Sequence, residues 1–480
     1  MKTVEVAVIG GGPAGMAAAA EAARRGASAA LVEESPTFGG KVLKTADRGL
    51  PLSPIEGYEK RIANRLLTDL HRHGDRITLI PRHQVWHIQD GRVLELSPVG
   101  GAPVGAKQVR CRRFIIATGA MERIRPFPGW TLPGVFPLGG LNSFVKHGIL
   151  PGKRFVIAGS GPLLPVLAHN LIRAGGRIAA LIQTTTYREM LRYVFPLGAG
   201  MDAFKLFQGI YYFGRMIRNR IPIYNGAAVS RVDGEGRAEA VGLIRLDRNG
   251  DPIPGTETEI DADAVAVGYG LIPCTDLTRL CGCREAYDEA SGYWRTLRNS
   301  RMETTVDGVF VAGDGGTVKG YAAAALEGTL AGAAAAFQLG YGGADDSETA
   351  AVQKRLRKAT RLGRALDQLS APPPGLLHLI SDETVICRCE EVRMKDLRQA
   401  ADAGARDIHD LKRRTRTGMG QCQGRFCGQV VNELLWELLW EPLWNLPDRP
   451  AVESPRRDVF TPRIPAKPCS LKDLLATAEY

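Results

Sequence analysis

Residues 4–15 read Val-Glu-Val-Ala-Val-Ile-Gly-Gly-Gly-Pro-Ala-Gly, an apolar run that passes directly into a glycine-rich turn. Residues 4–9 predict a buried parallel strand, and the Ala-rich stretch 16–25 predicts a helix. A second apolar strand, 28–32, follows and ends at Glu33. Strand, glycine turn, helix and second strand in this order predict a dinucleotide-binding α/β fold.

The glycine turn combines the residue types that a bound dinucleotide requires. Gly10 permits the tight strand-to-helix turn, Gly12 lets the backbone approach a pyrophosphate, and Gly15 allows close helix–strand packing. Pro13 and Ala14 open the helix, whose free N–H groups and positive dipole end suit phosphates. The run as a whole therefore predicts a nucleotide site.

Acidic residues close the second strand. Glu33 lies 18 residues after Gly15, a spacing that lets its carboxylate accept hydrogen bonds from ribose hydroxyls. Glu34 follows directly and belongs to the same candidate site. These residues specify an adenosine diphosphate moiety better than the rest of the nucleotide, so FAD and NAD are both open at this point.

Two distant segments distinguish these nucleotides. Ala117-Thr118-Gly119 ends an apolar strand, and Gly313-Asp314 ends another before a second Ala-rich helix. With the N-terminal turn, they resemble the flavoprotein reductases that have two dinucleotide-binding domains, and this resemblance implies FAD. It also implies that Asp314 bonds the ribityl chain and that the following helix points its N-terminus at the flavin. Capping of that helix by Asp314 is the compatible alternative.

A glycine and a lysine follow the second strand. By the same resemblance, Gly40 and Lys41 lie beside the isoalloxazine ring, although related proteins often have glutamine where Lys41 stands. A role of Lys41 in tuning the flavin and a plain surface position are both open. Some relatives hold NAD or ATP in place of FAD at this site, and that alternative is open as well.

A second dinucleotide-binding pattern begins at residue 153. Residues 153–158 predict a strand that enters Gly159-Ser160-Gly161-Pro162-Leu163-Leu164. Leu164 stands where the third glycine belongs, and Gln183 follows the next strand where the ribose-binding carboxylate belongs. We therefore predict an inserted, degenerate domain that does not hold NAD(H) tightly. The chain has no Cys-x-x-Cys pair, which argues against a thioredoxin-reductase activity.

Four C-terminal cysteines form two close pairs, Cys387 with Cys389 and Cys422 with Cys427, in the spacing C-x-C-x32-C-x4-C. Four thiolates suit a [2Fe-2S] cluster and also tetrahedral zinc. The tight first pair and the glycine-rich turns favour iron–sulfur over zinc or a metal-free role. The first pair and residues 417–424 resemble the bacterioferritin-associated-ferredoxin-like [2Fe-2S] domain. Its founding members have C-x2-C as the second pair, so C-x4-C is a variant.

Composition and charge narrow the function classes. The 480 residues are 44% hydrophobic and include 56 glycines, which suits α/β layers with tight cofactor turns. The net charge of +11 is spread along the chain, so no nucleic-acid partner is expected.

An apolar strand occupies the first residues and no apolar stretch of about 20 residues follows, so neither a signal peptide nor a transmembrane helix is expected. We expect a cytoplasmic protein, and peripheral contact with the inner membrane is open.

Domain order and one local signature point to a family. Residues 117–123 read Ala-Thr-Gly-Ala-Met-Glu-Arg, and residues 126–135 read Pro-Phe-Pro-Gly-Trp-Thr-Leu-Pro-Gly-Val. They resemble the α-type subunits of heteromeric amino- and imino-acid dehydrogenases, among them opine, hydroxyproline and proline dehydrogenases, hydrogen cyanide synthase and sarcosine oxidase. The resemblance implies an oxidoreductase acting on CH–NH or CH–NH2 donors, with the amine site on the β subunit, which is FAD-dependent. The presence of a small third subunit is open, and no catalytic residue is assigned to this chain.

We therefore predict an α/β flavoprotein with two dinucleotide-binding domains, each a doubly wound sheet, and a small C-terminal [2Fe-2S] domain. The predicted bounds are 1–125 with 300–345 for a discontinuous FAD-binding domain, 126–299 for the inserted domain, 346–375 for a helix and Pro-rich linker, 376–446 for the [2Fe-2S] domain, and 447–480 for an extended tail. The implied function is electron transfer between a partner flavin, the cluster and FAD. A stand-alone NAD(P)H-dependent flavin reductase and a non-catalytic subunit with structural nucleotide and metal are the alternatives.

Overall fold

The chain forms two compact units. The computed structural model describes residues 1–43, 54–90, 92–101, 108–194, 203–342, 347–405, 407–436 and 458–478. The first unit comprises Met1–Met121, Leu271–Asp367 and Pro462–Tyr480, and the second comprises Glu122–Gly270 and Gln368–Thr461. Both units are therefore discontinuous in sequence.

The first unit is built on a five-stranded parallel sheet. In spatial order its strands are Val309–Val311, Arg113–Ile116, Val6–Ile9, Ala29–Val32 and Ile77–Ile80. Every residue of the central strand Val6–Ile9 is buried, which suits a parallel strand covered on both faces. The strand order changes direction beside this strand, and ligands bind at such a switch point in open α/β sheets.

Two Ala-rich helices of the first unit pack closely. The helix Pro13–Arg25 follows the central strand, and it contacts the helix Tyr321–Gln338. A Cβ on Gly328 would lie 2.0 Å from the Ala14 carbonyl oxygen. Glycine is therefore required at this contact, and the small side chains around it let the two backbones share one core.

Smaller elements complete the first unit. A second sheet has the spatial order Lys2–Thr3, Gln108–Arg110, Val93–Pro98 and His83–Gln89. The other strands and helices in its described residues are Gly40–Leu43, Pro54–Arg72, Ala120–Glu122, Leu271–Pro273, Asp276–Leu280, Glu285–Asp288, Tyr293–Thr296, the 3-10 turn Gly313–Gly315, and Leu471–Ala478. The helix Ser347–Ser370 begins in the first unit and ends in the second. The tail that we expected to be extended thus contains a helix, Leu471–Ala478.

The second unit repeats the parallel pattern. Its five-stranded sheet has the spatial order Val135–Pro137, Ala264–Tyr269, Arg154–Ser160, Arg177–Gln183 and Ile223–Asn225. A three-stranded antiparallel sheet consists of Ala227–Asp233, Ala240–Arg245 and Thr258–Asp261. Helices in this part of the unit are Leu138–Lys146, Leu163–Arg173, Tyr187–Val194 and Ala203–Arg218. Both glycine patterns in the sequence thus lie at the ends of parallel strands.

Residues 385–436, called the cysteine domain below, form a hydrophobic core within the second unit together with Leu377, Ile380 and Phe460. The 3-10 helix Pro374–Leu379 precedes the domain, which contains the strand pair Val385–Cys387 and Val392–Arg393 and the helices Met394–Asp402, Ile408–Thr415 and Gly428–Leu434. Asp407 caps the middle helix by accepting a hydrogen bond from the Asp410 N–H at 2.7 Å. Arg416 ends that helix in the left-handed region, at φ 65°.

Within the residues described, no helix combines the length and apolar character needed to cross a bilayer. The longest described helix, Ser347–Ser370, contains many charged residues.

Candidate nucleotide and iron–sulfur sites

The N-terminal glycine turn is tightly packed against backbone at Gly10 and Gly15 and open at Gly12. Gly10 has φ 104°, and a Cβ there would lie 2.3 Å from the Ala117 carbonyl oxygen. A Cβ on Gly15 would lie 1.8 Å from the Gly10 carbonyl oxygen. A Cβ on Gly12, in contrast, would meet only the Gly40 Cα, at 3.8 Å. Gly10 and Gly15 thus shape the turn, while the surface at Gly12 is accessible to a ligand.

The helix behind this turn begins without a side-chain cap. Pro13 is its first residue, and Gly12 in the N-cap position contributes no side-chain hydrogen bond. The first turn contains no acidic residue that would neutralise the positive end of the helix dipole. The backbone N–H groups and the dipole therefore favour an anion next to Gly12.

Glu33 is hydrogen-bonded to the glycine turn. Its side chain is 7% exposed, and its Oε2 accepts a hydrogen bond from the Gly11 N–H at 2.6 Å. Its Oε1 accepts another from the Ser35 N–H at 2.8 Å. The neighbouring Glu34 instead forms an ion pair with Lys467 of the C-terminal tail. Glu33 is thus held beside the candidate phosphate position, whereas Glu34 contacts a residue far away in the sequence.

The Ala117-Thr118-Gly119 segment lies next to the Gly313-Asp314 turn. The Thr118 Oγ1 donates a hydrogen bond to the Cys274 carbonyl oxygen at 3.0 Å. A Cβ on Gly315 would lie 3.1 Å from the Thr118 Oγ1. Two segments almost 200 residues apart in the sequence therefore meet at the carboxyl ends of neighbouring strands.

Asp314 accepts hydrogen bonds from the start of the next helix. Its Oδ1 accepts from the Lys319 N–H at 2.8 Å and from the Gly320 N–H at 3.0 Å. Burial raises the pKa of Asp314 above its usual value, while these two N–H groups act in the opposite direction. The helix Tyr321–Gln338 itself begins at Gly320 without a side-chain cap. Asp314 therefore fixes the loop that leads into this helix, and the capping of the helix itself, which the sequence left open, is not present.

Glu327 supports the same turn from the helix behind it. Its side chain is 1% exposed, and its Oε2 accepts a hydrogen bond from the Gly313 N–H at 2.8 Å. Its Oε1 accepts from the Arg298 Nη2 at 2.9 Å and from the Lys319 Nζ at 2.8 Å. Two cations and one carboxylate thus form a buried cluster with a formal charge of +1 beneath the Gly313-Asp314 turn.

The remaining predicted residues of this site differ in exposure. Gly40 has φ 64°, and a Cβ there would lie 2.9 Å from the Gly12 Cα. Gly40 therefore belongs to the wall of the glycine turn. Lys41 is exposed on the short helix Gly40–Leu43.

The four cysteines of the C-terminal motif come together. Cys387 ends a strand, Cys389 lies in the turn that follows, and Cys422 and Cys427 lie in the loop before the helix Gly428–Leu434. The thiols of Cys387 and Cys427 are hydrogen-bonded to each other, as are those of Cys389 and Cys422. Cys387 and Cys427 are buried, while Cys389 is exposed. The arrangement is two thiol pairs, one internal and one near the surface.

Backbone N–H groups surround the buried sulfur. The Gly418 N–H donates a hydrogen bond to the Cys387 Sγ at 3.5 Å. The Cys427 thiol, together with the N–H groups of Gly418, Glu390 and Cys389, lowers the pKa of Cys387 to about 6 against the effect of burial. Its hydrogen bond to Cys387 and burial raise the pKa of Cys427. A thiolate, which is the form that binds metal, is therefore favoured at Cys387.

The donor set fits an iron–sulfur cluster in chemistry. Among the described residues, no group of three or more His, Cys, Asp or Glu side chains is placed so that it could hold a metal ion. The thiols are instead paired by hydrogen bonds that metal binding would replace. Four cysteines in two pairs, with backbone N–H groups beside them, match the ligands of a [2Fe-2S] cluster.

Phe460 covers the loop that holds the second cysteine pair. Its ring is 6% exposed, and Cβ atoms built on Gly418, Gly424 and Gly428 would lie 2.6, 2.2 and 3.1 Å from it. The Lys412 Nζ lies 5.2 Å from the centre of the ring. Glycine in this loop therefore makes room for an aromatic side chain from the C-terminal segment.

A largely apolar cavity of about 170 Å³ adjoins the four cysteines. Its wall includes Trp130, Phe136 and Tyr269 of the inserted domain and Phe426 of the cysteine domain, all in the second unit. Arg125 also lines it and forms an ion pair with Glu433. The cysteine site thus has an aromatic surface on one side.

Comparison with known proteins shows the family to which the chain belongs. Residues 4–328 match the family profile described as pyridine nucleotide-disulphide oxidoreductase, and residues 385–437 match the BFD-like [2Fe-2S] binding domain. The chain is 33% identical over 429 residues to hydrogen cyanide synthase subunit HcnB of Pseudomonas protegens, covering 88% of this chain and 89% of that protein. It is 33% identical over 444 residues to an opine oxidase subunit of Rhizobium meliloti, covering 90% of this chain and 92% of that protein. The chain belongs to the family of these subunits.

A solved structure shows the same fold. The crystal structure of L-proline dehydrogenase from P. horikoshii matches with a TM-score of 0.67 and 22% identity, covering 98% of this chain and 79% of that one. The predicted family and the predicted fold class are therefore confirmed. The two family profiles imply a dinucleotide, FAD or NAD, at the first site and [2Fe-2S] at the second. The ligand residues and domain bounds remain predictions.

Sequence reasoning missed three residues of these sites. Glu327 had a signal, because it is the only charged residue of the Ala-rich helix Tyr321–Gln338. Phe460 and Lys467 had none, since each lies in a Pro- and Arg-rich tail and contacts a partner far away in the sequence.

Proposed function

We propose that this chain is the electron-transfer subunit of a heteromeric dehydrogenase that oxidises an amino acid, an imino acid or an opine. The main support is that one chain carries both a dinucleotide turn and a four-cysteine site, and that its relatives are named as subunits of hydrogen cyanide synthase and opine oxidase. We further propose that it acts in the cytoplasm, with any membrane contact being peripheral.

We assign FAD to the N-terminal site. The open surface at Gly12 receives the pyrophosphate, and Glu33 accepts hydrogen bonds from the ribose hydroxyls. Asp314 bonds the ribityl chain, and the cationic cluster around Glu327 lies under its turn. Positive charge and a helix N-terminus at this place favour the negative charge that develops on a reduced flavin. NAD or ATP in this site is the alternative.

We assign a [2Fe-2S] cluster to Cys387, Cys389, Cys422 and Cys427. The buried pair and its backbone N–H groups stabilise thiolates, and Phe460 shields the loop from water. The FAD would supply two-electron chemistry and the cluster one-electron transfer.

The amine site belongs, in this proposal, to a partner. We assign it to the β subunit, which is FAD-dependent. A small third subunit is compatible with this assignment. The donor class is CH–NH or CH–NH2. This chain then binds no amine substrate and carries electrons between the partner flavin and its own two groups.

The first test is the cofactor content of the purified chain. We expect flavin absorption bands together with about two iron and two acid-labile sulfide per chain. Zinc without sulfide would contradict the cluster assignment, and NAD or ATP without flavin would contradict FAD. Bleaching of the flavin by NADH alone would instead favour the stand-alone reductase.

The second test concerns the partner. Affinity purification of the tagged chain from its native cells should recover a second flavoprotein. The isolated chain should not reduce a dye with proline, sarcosine or octopine, whereas the recovered complex should do so with one such amine. Amine-dependent dye reduction by the chain alone would contradict the assignment of the amine site to a partner subunit.

A further inference from the structure

The glycine loop of the inserted domain, residues 159–164, contacts the end of the helix Ser347–Ser370. Ser160 is 2% exposed, and its Oγ donates a hydrogen bond to the Ser370 carbonyl oxygen at 2.6 Å. A Cβ on Gly161 would lie 2.0 Å from the Ser370 Oγ. Ser370, a residue of the same unit, therefore lies against the loop at Ser160 and Gly161.

The two glycine loops of the chain differ at matching positions. Gly12 and Gly161 are each the third residue of their turn, where a dinucleotide pyrophosphate approaches the backbone. A Cβ on Gly12 would meet only the Gly40 Cα at 3.8 Å, whereas Gly161 is in direct contact with Ser370. The first loop has space for a phosphate, and the second does not.

The ribose end of the inserted domain is also filled. Gln183 stands at the end of the strand Arg177–Gln183, the position that Glu33 has in the first unit. Its Nε2 donates a hydrogen bond to the Asn225 Oδ1 of the neighbouring strand. Leu164 replaces the third glycine and is buried in the core of the domain. Neither end therefore keeps the groups that bind an adenosine diphosphate.

The contacts continue from Ser370 towards the cysteine domain. A Cβ on Gly250 would lie 2.2 Å from the Pro373 Cβ, and a Cβ on Gly375 would lie 2.5 Å from the Gly250 carbonyl oxygen. Further along, the Trp130 Nε1 donates a hydrogen bond to the Val385 carbonyl oxygen at 2.6 Å. The segment before the cysteine domain thus contacts the inserted domain through Pro373 and Gly375, and the cysteine domain contacts it through Val385.

We propose that residues 159–164 are a docking site for the chain's own Ser370, in place of a dinucleotide, and that Gly250 holds the residues that follow Ser370. The contact fixes the segment from which the cysteine domain starts, within the second unit. It also closes the inserted domain to NAD(H), so electrons do not enter the chain there. This inference does not depend on the amine substrate or on the nature of the metal.

The docking contact is testable by hydrogen–deuterium exchange of the cofactor-loaded full-length chain. Ser160→Ala removes the donor to Ser370, and Gly161→Ala places a Cβ against it. Loss of one hydrogen bond should speed exchange of residues 368–380 by about three- to tenfold, with no change at residues 10–20. The matched control is Gly214→Ala, since nothing lies within 4 Å of a Cβ there. Wild-type exchange of the linker in Ser160→Ala would overturn the proposal, even if Gly161→Ala does not fold.

NADH is the second probe. At about 1 mM, a concentration that fills sites of micromolar affinity, it should leave the exchange of residues 155–175 unchanged. Saturable protection of residues 159–164 by NADH, with faster exchange of the linker, would overturn the proposal. Protection confined to residues 10–20 would support it, because NADH would then bind only at the N-terminal turn.

Discussion

The Glu327 Oε2 accepts a hydrogen bond from the Gly313 N–H at 2.8 Å, so a buried helix carboxylate supports the turn that carries Asp314. The same carboxylate neutralises one of two buried cations, Arg298 and Lys319. Burial lowers the pKa of Lys319, and Glu327 opposes that shift. The turn and the charge of its surroundings therefore depend on one side chain.

Replacing that carboxylate tests its role. Glu327→Gln keeps an acceptor for Gly313 but removes the carboxylate that is paired with Arg298 and Lys319. We expect the free energy of unfolding to fall by about 3 kcal/mol, as is usual when a buried ion pair loses one partner, and flavin to be released more readily. Thermal unfolding and flavin content per chain measure both effects. Glu348→Gln, on an exposed pair with Arg24, should change the free energy by less than about 0.5 kcal/mol. Equal behaviour of the two variants would disprove the supporting role.

Substitutions in the glycine turn can separate an effect on folding from an effect on nucleotide binding. Gly12→Ala should fold normally, because its Cβ meets only a Cα at 3.8 Å, but the methyl group occupies the path of the pyrophosphate. We expect loss of FAD with little change in the unfolding temperature of the nucleotide-free chain. Gly57→Ala, which adds a Cβ in open space on a helix, should retain FAD and gain up to about 1 kcal/mol. If Gly12→Ala keeps its full flavin content, the nucleotide does not bind at this turn.

If the four cysteines hold the cluster, substituting one of them should remove iron and sulfide without removing flavin. Cys387→Ser and Cys427→Ser each remove a buried ligand, so iron and sulfide should fall close to zero while flavin stays near one per chain. Cys469→Ser, a partly exposed cysteine of the first unit, should keep iron, sulfide and flavin. Metal analysis and visible spectra measure the result. Iron retained after both buried substitutions would point to other ligands.

Phe460 should stabilise the cysteine site mainly through packing of its buried ring. Phe460→Ala removes a buried ring from the glycine loop, which typically costs about 3–5 kcal/mol. We expect the cysteine domain to unfold at lower denaturant concentration and iron to be lost faster to a chelator. Phe144→Ala, at an exposed position in the same unit, serves as the control. Chelation at the wild-type rate in Phe460→Ala would show that the loop holds its shape without the ring.

Local patterns account for what the sequence predicted well. The turn from Gly10 to Gly15 and each of the two cysteine pairs are set within a few residues, and each pattern limits the bound group to a few chemical classes. Parallel strands also follow from continuous apolar runs, because such runs can be buried on both faces. Family and fold class were therefore within reach of the sequence.

Long-range contacts account for what it missed. The ring of Phe460 contacts Gly424, and Lys467 pairs with Glu34, yet nothing in the tail's composition indicates either partner. The filling of the second glycine loop by Ser370 is equally invisible, since the loop itself still reads Gly-Ser-Gly. None of these three partners is indicated by the residues that adjoin it in the sequence.

The division of the chain has a consequence for its synthesis. The parallel sheet of the second unit is complete once Ala264–Tyr269 has left the ribosome, whereas the sheet of the first unit still lacks Val309–Val311 at that moment. Until Val309–Val311 is synthesised, the strand Arg113–Ile116 has one edge without its partner strand. The part of the chain that is synthesised first therefore completes its sheet last.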